Sequence, residues 1–384
     1  MRFSVDAHAI GQHLTGNETY IKNLLNCFAA LDRKADFVTY LSREDAFHEV
    51  PERFHKRRVA ANPFMRLGFD LPRRLRQDRP NLLHVQYTAP VFCSVPVVVS
   101  VHDVSFLEHP EYFTSFRARQ LRYTVQRTVK MAARVLTPSE FSKRRILDVY
   151  GLDEDKVVVL PIGVCSSFRP ISREIAQRWV QSSLGLTAPF LLTVGDLQPR
   201  KNHESLIRAF EQLVRAYPQL PHHLVIVGKE TWHAAAIRAV ARKSSVSDRI
   251  HFTGFVSDAE LLKWYGACDL FVYPSFYEGF GLPILEAMAC GRAVACSNTS
   301  AMPEVADSAA LLFDPHSGQE ILLTMRDLLL NPELRARMER LGAQRAQMFS
   351  WEKTAARTLD LYYEIAGNAE EKPVAALNRM SAAR

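Results

Sequence analysis

A chain of 384 residues, 47% hydrophobic and 23% charged, has the length of two ordinary domains and the make-up of a globular protein. The candidate spanning segment, Val95–Val101, is strand length and far short of the roughly 18–20 residues that span a bilayer; the chain's six cysteines (Cys27, Cys93, Cys165, Cys268, Cys290, Cys296) include no Cys-x-x-Cys pair, which argues against a zinc site and against a disulfide framework. The net charge of +7 is lopsided, with 27 Lys+Arg against 19 Asp+Glu in residues 1–180 and 21 against 22 thereafter.

The excess cations lie in Arg53–Arg79 and Arg117–Arg145. Such a half either meets an acidic partner (phosphate, anionic lipid, nucleic acid) or is a solvated surface. No nucleic-acid-binding motif accompanies the charge, which disfavours that partner. The start, Met1-Arg-Phe-Ser-Val-Asp-Ala, lacks the apolar core of a signal peptide and alternates like a first strand. A cytoplasmic protein with reduced thiols is expected.

In chain order the first half predicts strands at Phe3–Asp6, Phe37–Leu41, Leu82–Gln86, Val95–Val101, Arg134–Pro138 and Val157–Pro161. Between them, helical periodicity marks Thr19–Ala30, Phe116–Met131 and Ser139–Tyr150, the last with Ser139 as a candidate N-cap. The pattern then restarts. Strands are predicted at Phe190–Val194, His223–Val227, Ile250–Thr253, Leu270–Pro274, Ala293–Ser297 and Ala310–Phe313. Helices are predicted at His203–Tyr217, Trp232–Ser244, Asp258–Ala267, Pro283–Ala289, Gln319–Leu330, Pro332–Gln347 and Trp351–Ile365. Apolar runs alternating with amphipathic stretches define an α/β protein with parallel sheets. The expected division is residues 1–165, a linker at 166–188, a second domain at 189–350, a helix at 351–366 crossing back to the first domain, and a loose tail at 367–384. Open α/β sheets bind ligands at the carboxyl ends of their strands, so two such ends facing across a cleft would suit a two-substrate transferase.

Two segments carry the chemistry. Pro274-Ser-Phe-Tyr-Glu278-Gly-Phe-Gly-Leu-Pro-Ile-Leu-Glu286 joins a strand to a helix through glycines. Backbone N–H groups and the helix dipole make such a turn an anion site, and a glutamate on each side adds affinity for hydroxyls; a nucleotide sugar offers both. Gly195-Asp-Leu-Gln-Pro-Arg200-Lys201-Asn202 ends another strand with two cations before a helix, a clamp for a diphosphate.

Taken together, Gly195…Arg200-Lys201-Asn202, Gly254-Phe255-Val256 and Glu278-Gly-Phe-Gly-Leu-Pro…Glu286 resemble, in order and spacing, the retaining GT-B glycosyltransferases of family 4. The resemblance extends through Gly291-Arg-Ala-Val-Ala and Pro303-Glu304-Val, and in the first half through Gly16, His102-Asp103 and Ser139-Glu-Phe-Ser142. Pro161-Ile-Gly-Val164 resembles the interdomain segment, but Ile162 and Cys165 replace the family's usual Asn and Asp. The fold implied is GT-B, two Rossmann-like doubly wound domains, the first for the acceptor and the second for the donor.

The resemblance also implies roles. Arg200 and Lys201 would bind the donor diphosphate and stabilise the leaving group. Backbone at Gly279, Phe280 and Gly281 would hold sugar and phosphates, with Gly195 and Leu282 beside them. Glu278 would bind sugar hydroxyls, Glu286 the ribose, and Phe255 and Val256 would border the base. His102 would point at the sugar, and Gly16 would admit the phosphates. Each has a plainer alternative: a dipole-complementing charge for Glu286, core packing for Phe280 and Leu282, a structural histidine for His102, a turn glycine for Gly16. Asp103 is expected to orient its loop and Glu304 to cap a helix.

No essential metal or other cofactor is expected. The Asp153-Glu-Asp155 run precedes a strand rather than ending one, whereas a catalytic pair belongs at the carboxyl end near the donor. The segment Val101–Pro110 is most similar to that of O-antigen and polymannose mannosyltransferases. This implies GDP-mannose as donor, with UDP-sugars as the alternative, and a glycan or lipid-linked glycan as acceptor, with the basic patches against anionic headgroups. A non-enzymatic rival is an inactive glycan- or nucleotide-binding scaffold.

Overall fold

Runs such as Leu82–Gln86 and Leu270–Tyr273 are buried along their whole length, as strands must be when helices cover both faces of a sheet. A computed structural model describes residues 1–12 and 15–381, with side chains up to residue 367 apart from Thr15. It divides into two units: Met1–Gly163 with Ser350–Arg384, and Val164–Phe349.

The first unit is built on β1 (Arg2–Asp6), β2 (Asp36–Leu41), β3 (His55–Arg58), β4 (Leu82–Gln86), β5 (Val97–Ser100), β6 (Arg134–Thr137) and β7 (Val157–Val159), in the order β3-β2-β1-β4-β5-β6-β7. The second has β8 (Phe190–Val194), β9 (His223–Val227), β10 (Ile250–Gly254), β11 (Leu270–Tyr273), β12 (Val294–Ser297) and β13 (Leu311–Phe313), in the order β10-β9-β8-β11-β12-β13. Every pairing is parallel. Both orders reverse direction after their first strand, between β1 and β4 and between β8 and β11. That reversal opens a crevice at the carboxyl ends of those strands, where doubly wound folds bind ligands.

The helices follow from their stripes and caps. His203–Ala216 buries Leu206, Ile207, Phe210, Leu213 and Val214, one face at helical spacing. The helix Glu140–Tyr150 starts at Ser139, whose hydroxyl accepts from the Ser142 amide at 3.1 Å, and stops at Gly151 in the left-handed region.

Three features differ from the sequence reading. β3 is His-Lys-Arg-Arg, with no apolar residue to announce it; it is an edge strand, where charge guards against further pairing. Residues 166–188, expected as a linker, contain the helix Arg173–Leu184, docked through Trp179 on Trp264 of the helix Asp258–Ala267 with ring centroids 5.4 Å apart. The last helix runs Trp351–Ser381, past the expected end at Ile365. The side chains of the tail lie outside the described residues, and so do residues 382–384 entirely.

That last helix packs on the first sheet. Tyr362 is fully buried, edge-on to Phe3 at 5.2 Å and Phe28 at 5.5 Å, and its hydroxyl is hydrogen-bonded to His84 in β4. Tyr363 donates to Asp32 at 2.7 Å. Tyr362→Ala would empty this contact and is expected to cost about 3–5 kcal/mol, read as a lowered midpoint in denaturant unfolding.

Candidate active site

In the second unit the segments after β8 and β11 meet at the crevice. After β8 the chain makes a 3-10 turn at Pro199–Lys201 and passes Asn202 at φ 55°, a conformation asparagine tolerates. The Asn202 amide donates to the Pro274 and Pro315 carbonyls at 3.1 and 2.9 Å, which ties the turn to the segment following β11. A Cβ on Gly195 would stand 3.0 Å from the Lys201 side chain, which lies across it, so a larger residue would push that side chain aside.

This turn delivers both cations to one carboxylate. Arg200 and Lys201 donate to opposite oxygens of Glu278, each at 2.6 Å. Arg200 also donates to the Tyr277 carbonyl at 2.7 Å, and Lys201 to the Tyr273 hydroxyl at 2.8 Å. The Glu278 amide donates to Ser300 at 2.9 Å, fixing the carboxylate's base. Burial pushes the Glu278 carboxyl upward, but Arg200 and Lys201 outweigh it and hold it at about 2. Burial likewise lowers Lys201, against the opposing pull of Glu278. The cluster sets two basic side chains against one carboxylate. An ammonium has three donors, and two of Lys201's go to Tyr273 and Glu278.

Next to it, Gly281 takes φ 102°, accessible to glycine, and begins the helix Leu282–Ala289. Among the described residues, neither the Phe280 nor the Gly281 amide finds a backbone carbonyl, as at an anion-binding helix start. The Phe280 ring is buried against Phe349, so its side chain is core; Leu282 is half-buried.

Glu286 is not at the helix start, where one alternative had it complement the dipole. It is 7% exposed, in the middle of the helix, and accepts from the Tyr265 hydroxyl at 2.9 Å. Burial raises its carboxyl to about 7. At the end of β10, Phe255 presents an exposed ring, with Val256 half-buried beside it. Glu304, expected as a cap, lies inside the short helix Met302–Ala306, whose N-cap Ala301 makes no side-chain bond.

In the first unit, His102 follows β5. Gln86 donates its amide nitrogen to the Asn17 carbonyl at 3.1 Å, which turns its oxygen toward His102 Nε2 at 3.0 Å. Nε2 is then the protonated nitrogen and Nδ1 an acceptor. Burial lowers this histidine to about 4, so it is neutral near pH 7. Asp103 orients the loop, accepting from the Ser105 amide and hydroxyl at 2.9 and 2.6 Å. Gly16, expected in a loop, is the exposed second residue of the helix Thr15–Leu31, and a Cβ there would meet nothing within 4 Å. Asp153 and Asp155 are exposed and precede β7.

Sequence reasoning missed Tyr265, Tyr273, Ser300 and Gln86. Each supports a site residue from a distant part of the chain, 21 residues away for Tyr265 and Glu286, and no local pattern marks such a partner.

The fold and the cation–carboxylate cluster define a two-domain transferase of the GT-B type. The sequence profile of the family described as Glycosyl transferases group 1 matches residues 178–345, and that of Glycosyltransferase Family 4 matches residues 14–168. The chain is 32% identical to O-antigen chain mannosyltransferase B of Escherichia coli over 69% of either chain. It is also 32% identical to D-inositol 3-phosphate glycosyltransferase of Kineococcus radiotolerans, over 70% of this chain and 66% of that one. The structure of sucrose-phosphate synthase from Thermosynechococcus elongatus shares the fold, with a TM-score of 0.76 at 18% identity over 96% of this chain and all of that one. The chain belongs to the group 1 (family 4) glycosyltransferases.

The raised Glu286 carboxyl makes a prediction. A carboxyl lifted from 4.5 to about 7 on folding contributes stability that is complete below pH 4.5 and is lost as pH rises through about 7. Glu286→Gln mimics the protonated form. It is expected to leave the melting temperature unchanged at pH 4 and to raise stability at pH 8 by about 3 kcal/mol, measured by thermal and denaturant melts at both pH values.

Proposed function

We propose that this glycosyltransferase moves mannose, with retention, from GDP-mannose to a glycan or lipid-linked glycan acceptor, without a divalent metal. The observation that carries the reading is the Arg200–Lys201–Glu278 cluster beside the Phe280 and Gly281 amides. In this reading the donor diphosphate is bound by Arg200 and Lys201 together with the backbone at Gly279, Phe280 and Gly281. As the bond from the anomeric carbon to phosphate oxygen breaks, these groups meet the charge that develops on the leaving group. That supply of fixed positive charge stands in for a metal ion.

Glu278 is a poor nucleophile for double displacement, because two cations occupy its oxygens. This supports substitution on one face. The acceptor oxygen bonds to the anomeric carbon as the leaving phosphate departs, and the phosphate takes the acceptor's proton. Glu278 holds the cations in register and meets sugar hydroxyls at its edge. Glu286 accepts from the ribose hydroxyls, and Phe255 stacks on the base with Val256 beside it. His102, neutral, offers Nδ1 to a hydroxyl of the sugar, and Gly16 leaves space for the phosphates. Mannose is supported by the similarity to an O-antigen mannosyltransferase. An exposed ring such as Phe255 stacks on purine and pyrimidine alike, which keeps a UDP-sugar as the alternative donor. The enzyme works in the cytoplasm, in contact with an anionic membrane surface; no helix among the described residues is long and apolar enough to cross a membrane.

A thermal-shift panel of GDP, UDP, ADP and their sugars, with magnesium or with chelator, tests donor and metal together. Stabilisation by GDP-mannose that survives chelation is expected; stabilisation only by a UDP-sugar selects the alternative. Lys201→Ala is expected to lower turnover by roughly 100- to 1,000-fold with an unchanged circular-dichroism spectrum. Glu286→Ala is expected mainly to raise the donor KM, by about tenfold or more. Full activity in both variants would overturn the site.

A further inference from the structure

The glutamates that flank the glycine turn meet opposite surroundings. Glu278 lies between two cations. The groups facing the Glu286 carboxyl are the Tyr265 hydroxyl and Asp258, both on the helix Asp258–Ala267, and Cys290, at the end of its own helix. Tyr273 in β11 stands behind Tyr265. None of these is a cation, and Asp258 adds to the upward push of burial. Against both stands the hydrogen bond from Tyr265. A carboxyl so placed loses its proton when a new interaction favours its charged form.

Tyr265 is held firmly. It is fully buried, and its ring meets Phe168 and Phe271 edge-on, at centroid distances of 5.9 and 5.5 Å. Burial and the nearby carboxylate keep the phenol protonated, so its hydroxyl is a standing donor. It reaches Glu286 Oε2 at 2.9 Å, with the Pro283 carbonyl of the same helix at 3.4 Å. Glu286 Oε1 accepts from none of the described residues. One oxygen is therefore taken and one is left. A carboxylate has lone pairs enough to accept from adjacent hydroxyls while keeping the tyrosine bond.

We propose that Tyr265 is a positioning residue for donor binding, its hydroxyl fixing one oxygen of Glu286 while the other meets the ribose hydroxyls, and that the carboxyl releases a proton to solvent as they arrive. The proposal rests on the ribose reading of Glu286 and adds to it the residue that orients the carboxylate and the proton that binding expels. The carboxyl O–H bond breaks, the proton goes to water, and the ribose hydroxyls donate to the carboxylate left behind with their own O–H bonds intact. The competent form is the ionised one, so apparent donor affinity scales with its fraction. That fraction is small below about 7, where the buried carboxyl titrates, and nearly complete above it, so affinity rises with pH and then levels off. Glu278, held at about 2, is ionised throughout this range and adds no such dependence.

Titration calorimetry of the full chain with GDP-mannose and with UDP-glucose, in buffers of different ionisation enthalpy, tests this. Both ligands carry a diphosphate esterified at each end, which does not itself titrate near neutrality. Whichever binds is expected to do so roughly fivefold to tenfold more tightly at pH 8 than at pH 6, with proton release at pH 6 that all but vanishes by pH 8. Glu286→Gln is expected to abolish that release. Tyr265→Phe, which keeps the ring and its packing, is expected to lose roughly tenfold in affinity at pH 7, narrowing to about twofold by pH 8.5; a tyrosine that merely packs would leave the pH profile in place. Wild-type affinity that is flat from pH 6 to pH 8 would overturn the proton release, and a Tyr265→Phe profile superimposable on the wild type's would overturn the positioning role. Undiminished binding of the 2′,3′-dideoxy form of the same nucleotide sugar would instead overturn the ribose reading, and binding of neither nucleotide sugar the donor reading beneath it, so each can fail separately.

Discussion

Two cations and a carboxylate taken out of water together organise the second unit's crevice. Glu278, 7% exposed, would not stay ionised there without Arg200 and Lys201, and two adjacent cations would repel one another without Glu278. Removing Glu278 from such a buried set leaves both cations uncompensated, typically a loss of about 3–5 kcal/mol. The surrounding residues serve that set. Gly195 leaves the space Lys201 lies across, Asn202 adopts φ 55° to turn both side chains inward, and Ser300 and Tyr273 fix the carboxylate and the ammonium. Because the cations are held before any ligand arrives, a bound diphosphate meets an arranged field rather than one that must reorganise.

The first unit repeats the plan in weaker form. At the matching reversal of strand order, Asp6 is also a buried carboxylate. Burial pushes it up, and His8 and Arg66 bring it down to about 2. The same topology thus yields, twice, a cation steadied by a hidden acid at the end of a central strand. In one unit the acid faces two cations in a tight cluster. In the other, Arg66 stands 3.7 Å from its carboxylate, a looser pairing.

Much of this was legible in the sequence, for physical reasons. Parallel strands covered on both faces must be apolar runs, so β1, β4, β8, β9 and β11 announced themselves to within a residue or two. Strand-to-helix turns with glycine and charge marked Arg200, Lys201, Glu278 and Glu286. What stayed hidden has a common cause: an edge strand or a surface helix needs less apolar burial to be stable. β3 is wholly polar, and the Arg-rich stretch Leu71–Asp78 folds as a helix burying only Leu71, Pro72, Leu75 and Asp78. The segment 166–188 read as a linker because its helix contributes only Ala176 and Val180 to the buried interior. Pairings across long separations, such as Tyr265 with Glu286 or Gln86 with His102, exist only once the sheets have formed.

The chain leaves the first unit at Gly163 and re-enters it at Ser350. There the two passages touch: a Cβ on Gly163 would stand 2.1 Å from the Trp351 amide nitrogen. The second unit is therefore an uninterrupted insertion whose ends emerge side by side, while the first is split, with Tyr362 and Tyr363 supplied from beyond the insertion. During synthesis the second unit can close as soon as residue 349 has emerged. The first must wait with Phe3, Phe28 and His84 uncovered until the final helix arrives, so the half made earlier is the half completed last.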